Sequence, residues 1–273
     1  MTQEGGHVAA ALPSSALEQL REALTDESGR KRVTMHTAAT IKDDRTALAG
    51  LVEAVVERLG REPDLEDFLL WNPGGALEHV VQMIVSSCAR KTNGGTGFRC
   101  EVFYETSARK ANAKQKWSDG AVSLPPVVGI VEVKMAPART KGVGGAARAV
   151  AHDLAALLAT NWEATVGYDM PFKDNLTDPD WSALIKSPGV RPWGLVIGGI
   201  HGPDNKITSD QFTAAVEAGA KSVVAKYGAT CEGLPDRLAR ALKEPLLGGH
   251  GRVLRDGTAI AIVNAWCGPI GRA

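Results

Sequence analysis

The sequence predicts an α/β fold, a mixed central sheet flanked by helices and preceded by a helical N-terminal region. Three observations predict it. Two apolar runs, VVGIVEVKM at 127–135 and WGLVIGGI at 193–200, read as strands in a sheet interior, the second buried on both faces and paired parallel. Between them lies a helical stripe of Ala147, Val150, Ala151, Leu154, Leu157 and Leu158, a crossover of the length that parallel neighbours need. Upstream, the chain shows helical stripes before any strand pattern begins.

Taken in order, residues 1–15 form an arm and 15–24 a short helix with Leu17, Leu20 and Leu24 on one face, followed by a basic loop at 29–32. Asp43 and Asp44 offer an N-cap to a helix over 45–59, striped by Leu48, Leu51, Val52, Val55, Val56 and Leu59 and ended by Gly60. A short helix over 65–71 follows. NPGGALE at 72–78 turns into a helix lasting to about Lys91, with Leu77, Val80, Val81, Ile84 and Cys88 buried and Glu78 at the stripe's border. NGGTG at 93–97 is a turn, and 98–105 reads as one strand with Phe98, Cys100, Val102 and Tyr104 on a single face. The polar connection SARKANAKQK leads to a strand at 117–122, and Pro125-Pro126 interrupts pairing before 127–135.

Past Pro137, TKGVGG reads as a loop into the crossover helix, whose connection is expected to be right-handed. Residues 167–192, with Asp169, Asp174, Asp178 and Asp180, read as an acidic surface insertion. A helix over 208–227 buries Phe212, Ala215, Val216 and Val223. Gly219 on that face lowers its stability by about 1 kcal/mol relative to Ala unless it marks a close contact. A helix at 235–243 and a strand at 258–266 complete the chain. With no repeat or linker, 1–273 reads as one domain: a mostly helical region at 1–71, a core at 72–200, and C-terminal helices and a strand at 201–273 packed on it.

Composition narrows the function. The 273 residues suffice for a full core, and 44% hydrophobic with 23% charged residues is ordinary for a globular chain. No apolar run approaches the ~20 residues that span a bilayer, and the N-terminus lacks a basic leader pattern, so a cytoplasmic location without a membrane partner is expected. Four scattered cysteines without a CxxC pair point to reduced thiols. Lys plus Arg and Asp plus Glu number 31 each, which excludes indiscriminate polyanion binding. Any nucleic-acid partner must meet a locally basic cleft. GVGGAA at 142–147 matches G-x-G-x-x-A formally. It follows no strand directly and has no acidic strand end downstream, so no nucleotide cofactor is expected. The six histidines form no ligand pair; His201, at the end of a buried strand, is the one to watch. The six tryptophans read as core.

Chemistry concentrates in 117–135. Glu132 and Lys134 share one strand face, about 7 Å apart along the chain. Charges amid Val127, Val128, Ile130, Val131 and Val133 persist only if paired, metal-bound or facing a cleft. Asp119, from the preceding strand, can converge with Glu132 on a hard cation, because Mg²⁺ favours one or two carboxylates plus water and phosphate oxygens. Basic and amide side chains lead into Asp119: Arg109, Lys110, Asn112, Lys114, Gln115 and Lys116. Arg139 and Lys141 follow Lys134. Such cations meet phosphates, and Asn, Gln and Arg read base edges.

The pattern Asp119, twelve residues, Glu132-Val133-Lys134 resembles the PD-(D/E)XK nuclease superfamily, which includes most type II restriction endonucleases. The element order over 72–200 is also similar: a helix carrying a Glu, three strands, a crossover helix and an apolar strand. Ser118 stands where the family often has Pro. The resemblance implies a restriction-endonuclease-like core, with Asp119, Glu132 and the Val133 carbonyl as metal ligands. It implies that Lys134 positions or deprotonates the attacking water, and that Glu78 serves a second metal or its water. Glu101 and Glu105 compete with Glu78 for that role. The implied activity is Mg²⁺-dependent cleavage of double-stranded DNA at a fixed sequence, with Mn²⁺ as a substitute and 5′-phosphate products, by a homodimer. Another nuclease of the superfamily, or a non-catalytic nucleic-acid-binding protein, remains as an alternative.

Overall fold

The computed structural model describes residues 38–61, 77–91, 97–100, 103–108, 115–124, 126–137, 142–167, 189–201, 207–229, 231–253 and 259–270. The expected helices at 15–24 and 65–71, and nearly all of the acidic insertion, lie outside them. Helices α1 (Ala38–Arg61) and α2 (Leu77–Lys91) come first, then strands β1 (Gly97–Cys100), β2 (Phe103–Glu105), β3 (Gln115–Trp117), β4 (Gly120–Leu124) and β5 (Val127–Pro137). Next are α3 (Gly142–Leu158), α4 (Trp162–Gly167) and β6 (Arg191–His201). Helices α5 (Ser209–Tyr227) and α6 (Leu234–Lys243) and strands β7 (Leu247–Val253) and β8 (Ala259–Pro269) follow.

The main sheet is mixed, in the order β1-β4-β5-β6-β8-β7, with β2 and β3 pairing apart from it. Among the described strands only β5 and β6 run parallel, from Val127↔Arg191 to Pro137↔His201, and α3 lies in the connection between them. β6 pairs antiparallel with β8 on its other edge. Helices cover both faces. Val127, Val131, Val133 and Met135 of β5 pack with α1 and α2, whereas Val128, Ile130 and Ala136 pack with α3, α5 and α6. The period-2 alternation of a strand produces this division, and each fully buried aliphatic side chain contributes about 1.5–3 kcal/mol. β6 is apolar along its length for the same reason: Leu195 and Ile197 enter one core, Val196 and Ile200 the other.

Glycines set how closely the helices approach. A Cβ at Gly198 would lie 2.5 Å from Val150 Cγ2, so α3 lies directly against β6. A Cβ at Gly219 would lie 3.1 Å from Arg148 Cα, which makes Gly219 the close α5–α3 contact that its place in the stripe required.

Several expectations need correction. The segment 98–105 is not one strand: β1 joins β4 in the main sheet while β2 joins β3. The expected strand over 117–122 breaks at Ser118–Asp119, where the Ser118 hydroxyl donates to the Gly120 carbonyl (3.0 Å) and the chain changes sheets. Asp44 is no N-cap. α1 starts at Ala38, and buried Asp44 accepts from Arg191 Nε (3.0 Å) and Nη2 (2.6 Å) and from Trp193 Nε1 (2.9 Å), fastening α1 to the start of β6. α3 begins at Gly142, so four of the six residues of the expected loop, 142–145, are helix. β7 was not anticipated, because LGGHGRV has neither alternation nor β-branched density; its pairing with β8 defines it.

Candidate active site

The site follows from a mismatch in strand length. β4 pairs with β5 from Leu124↔Val127 to Gly120↔Val131 and stops, while β5 continues to Pro137 alongside β6. Beyond Val131, no strand among the described residues bonds the backbone groups of Val133 and Met135 on the β4 side. Buried backbone donors must find partners, and here they find carboxylates. Asp119 Oδ2 accepts from the Val133 N–H (2.5 Å), and Glu78 Oε1 accepts from the Met135 N–H (3.2 Å). Asp119 reaches this position because the chain turns at Ser118 immediately before β4. Glu78 reaches it because α2 begins at Leu77, one residue earlier. The Val133 carbonyl shares this edge and accepts from Lys134 Nζ at 3.2 Å.

Glu132 and Lys134 have the parity of Ile130 and therefore point to the α3 side of β5. Tyr104 and Lys116 are cross-strand partners in the β2–β3 pair, so their side chains share one face, and both end on Glu132. Tyr104 Oη donates to Glu132 Oε1 at 2.9 Å, and Lys116 Nζ bonds the same oxygen. Lys116 Nζ also bonds Asp153 Oδ1 of α3 at 2.7 Å, and Lys134 Nζ lies 3.8 Å from Asp153 Oδ2. The β2 end is pinned to α3 by Thr106 Oγ1 donating to the Ala156 carbonyl (2.6 Å) and by the Ser107 N–H donating to that of Ala159 (3.2 Å). The hairpin is thereby held over Glu132.

Four carboxylates, Glu78, Asp119, Glu132 and Asp153, thus surround two ammonium groups. Burial pushes Glu132 up to about 7, and the neighbouring Asp153 adds to the shift against the pull of Lys116. Asp153 goes the other way: burial alone would raise it, but hydrogen bonds from His152 and Lys116 and the charges of both lysines hold it below its ordinary value. For Lys134, burial favours the neutral amine, yet Asp153, Glu78, Asp119 and Glu132 outweigh it and raise its pKa. Lys134 is therefore a firm ammonium, and the cluster carries more negative than positive charge once Glu132 ionises.

That imbalance suits a hard cation. The donors at the strand fork are two carboxylates, Asp119 and Glu132, and the Val133 carbonyl, all oxygens of the kind Mg²⁺ takes alongside water. Among the described residues no three His, Cys, Asp or Glu side chains converge as a ready-made cage. Asp119, Glu132 and the Val133 carbonyl are hard oxygen donors and include none of the thiolate or imidazole ligands of a closed zinc site. No protein-family model, curated protein or solved structure matches the chain.

The structure thus brings together Asp119, Glu132, Val133, Lys134 and Glu78 of the sequence-predicted set. Glu105 is displaced from contention: it neighbours Tyr104 on β2 and so faces away from Glu132, while Glu101 lies outside the described residues. Lys116 was grouped with the phosphate contacts, but its ammonium is turned inward to Glu132 and Asp153. Arg109, Lys110, Asn112, Lys114, Arg139 and Lys141 lie outside the described residues; Gln115 is placed in β3. His201 is buried with neither ring nitrogen hydrogen-bonded, and burial pushes its pKa down to about 4, so it is a neutral imidazole. Cys88, Cys231 and Cys267 are buried thiols outside any disulfide. Among the described residues no helix is long and apolar enough to cross a membrane.

Sequence reasoning missed Asp153 and the reach of Tyr104. The first was detectable: Asp153 sits three residues after Val150 and four before Leu157, a lone acid in a buried helical stripe. Tyr104 was seen as an apolar strand position, and nothing in the sequence aimed its hydroxyl at Glu132.

Proposed function

We propose that the chain is a Mg²⁺-dependent DNA endonuclease of the PD-(D/E)XK kind, acting as a type II restriction enzyme. The observation that carries this reading is the fork: Asp119 lies where β4 leaves β5, while Glu132, the Val133 carbonyl and Lys134 come from consecutive residues of the freed strand. Asp119 and Glu132 would hold the cation with the Val133 carbonyl. A bound cation would supply Lewis acidity at the phosphate and lower the pKa of a water there. Lys134, kept an ammonium by the carboxylates around it, would orient such a water and neutralise charge developing on an attacked phosphate. Glu78 fixes the free edge of β5 through the Met135 N–H and so keeps Glu132 and Lys134 in register. A homodimer acting on a palindromic site is the expected assembly, since two-fold symmetry in the DNA calls for two-fold symmetry in the protein.

The test is incubation of the protein with phage genomic DNA and Mg²⁺. Discrete fragments with 5′-phosphate ends, lost in Glu132→Ala without loss of folding, are the expected result. Progressive digestion from ends would favour another nuclease of the same superfamily. A second reading draws on Lys116, which bridges Glu132 to Asp153 as a structural ion pair would. On that reading the chain binds nucleic acid without cutting it, Mg²⁺ produces no cleavage, and Glu132→Ala unfolds the protein.

A further inference from the structure

The ammonium of Lys116 occupies a position that ordinary packing does not explain. Its side chain is 12% exposed, between a Glu132 side chain at 2% and an Asp153 side chain at 8%. Two acids from different elements, β5 and α3, are thereby brought to one ammonium, with the Lys134 charge at the far oxygen of Asp153. Among the described residues, buried Asp153 Oδ2 accepts no hydrogen bond; Lys134 Nζ pairs with it as a charge at 3.8 Å, beyond hydrogen-bonding distance. A buried carboxylate oxygen left without a donor is a cost unless something else approaches it. Tyr104 Oη adds a neutral oxygen on the same side.

The members differ in freedom. Glu132 is central in the sheet, paired to β6 along its strand, and Asp153 sits mid-helix in the core face of α3. Lys116 extends a flexible four-carbon stem from a strand outside the main sheet, with exposed Trp117 beside it. Of the three charged groups, it is the one that can withdraw without rearranging the core. We propose that Glu132 and Asp153 form a divalent-cation position on the α3 side of β5, which Lys116 fills in the metal-free chain and vacates when the ion binds. The proposal rests on the nuclease reading for the use of Glu132, and it adds Asp153 as a ligand and Lys116 as the competitor that keeps the empty site closed.

Mn²⁺ binding to the full chain, followed by the loss of the free-ion paramagnetic resonance signal, tests it. Lys116→Met removes the competitor and is expected to tighten Mn²⁺ binding about tenfold or more. Adding Asp153→Asn to that variant is expected to cancel the gain. A folded Lys116→Met protein whose Mn²⁺ affinity is unchanged or weaker overturns the proposal, as does a chain that binds no Mn²⁺ with or without Lys116. Should Lys116→Met fail to fold, ammonium-nitrogen resonances of the wild-type lysines decide. The Lys116 signal is expected to move toward the solvent-exposed position as Mg²⁺ saturates the protein, and a signal that stays fixed at saturation overturns the idea. Failure of the nuclease reading shows separately, as a wild-type protein that binds Mn²⁺ by these criteria yet leaves DNA intact.

Discussion

Glu132→Gln separates a site residue from a structural one by how the stability difference changes with pH. Glu132 is 2% exposed and faces Tyr104 and Lys116 from the hairpin and Asp153 from α3, with the Asp119 charge nearby. Its pKa rises from 4.5 to about 7 on folding. A group bound more tightly to its proton in the folded state favours folding while protonated in both states, below about 4.5. That advantage disappears as pH rises through about 7. At ~1.36 kcal/mol per unit the shift amounts to about 3 kcal/mol of relative destabilisation above neutrality, with the Lys116 attraction already counted. Gln keeps the shape and cannot ionise. Urea unfolding of both proteins from about pH 5 to about pH 8 should therefore show wild-type stability falling relative to the variant by about 2.5 kcal/mol, the rest of the change lying below about pH 5. Meanwhile the variant should lose cleavage. A stability gap that is constant across this range, or that widens in favour of the wild type at high pH, would refute the reasoning and make Glu132 a net stabilising ion-pair partner.

Cation binding should carry the same signature with opposite consequence: Mn²⁺ affinity should rise as pH passes through about 7, with protons released on binding, as calorimetry in buffers of different ionisation enthalpy would reveal. An affinity independent of pH there would contradict the role given to Glu132. Asp44→Ala leaves the Arg191 guanidinium and the buried Trp193 indole N–H without their acceptor and should lower unfolding stability by about 3 kcal/mol. Gly198→Ala forces a Cβ to within 2.5 Å of Val150 Cγ2 and 3.3 Å of Trp266 Cζ3, and should cost about 1–3 kcal/mol by thermal unfolding. Glu78→Gln retains an acceptor for the Met135 N–H, so stability should change by less than about 1 kcal/mol and cleavage should be largely kept, whereas Glu78→Ala should lower cleavage; a folded Glu78→Gln protein that cannot cut DNA would contradict the edge-fixing role.

What was legible in the sequence divides along the source of the signal. β5, β6, α3 and α5 were readable because burial on both faces or on one helical stripe writes itself into consecutive residues. β7 was not, because its strand character comes from its pairing with β8 and not from its own glycine-rich residues. The separation of β1 from β2 was hidden for a related reason: alternation marks an extended chain but does not say which sheet the chain joins. Asp44 misled because an acid near the start of an amphipathic stripe is usually a cap. Here a distant arginine, Arg191, makes it affordable as a buried acceptor within the helix.

The candidate site shows the same division. Asp119, Glu132 and Lys134 were visible because charged residues beside a buried strand break a local rule, and such breaks mark either function or strain. What the local rule could not reveal was how many charges answer one another. A cluster with Lys116 alone against Glu132 would be a neutral pair and would need nothing more. Asp153 changes that, because it engages both lysines and adds to the burial that raises the Glu132 pKa, where a satisfied ion pair would lower it. An arrangement selected only for stability would replace these buried charges by apolar residues of similar size, at no loss or a gain. Their retention at the one point where β5 outruns β4, with two further carboxylates on the exposed backbone edge, is better explained by a ligand that supplies the missing positive charge.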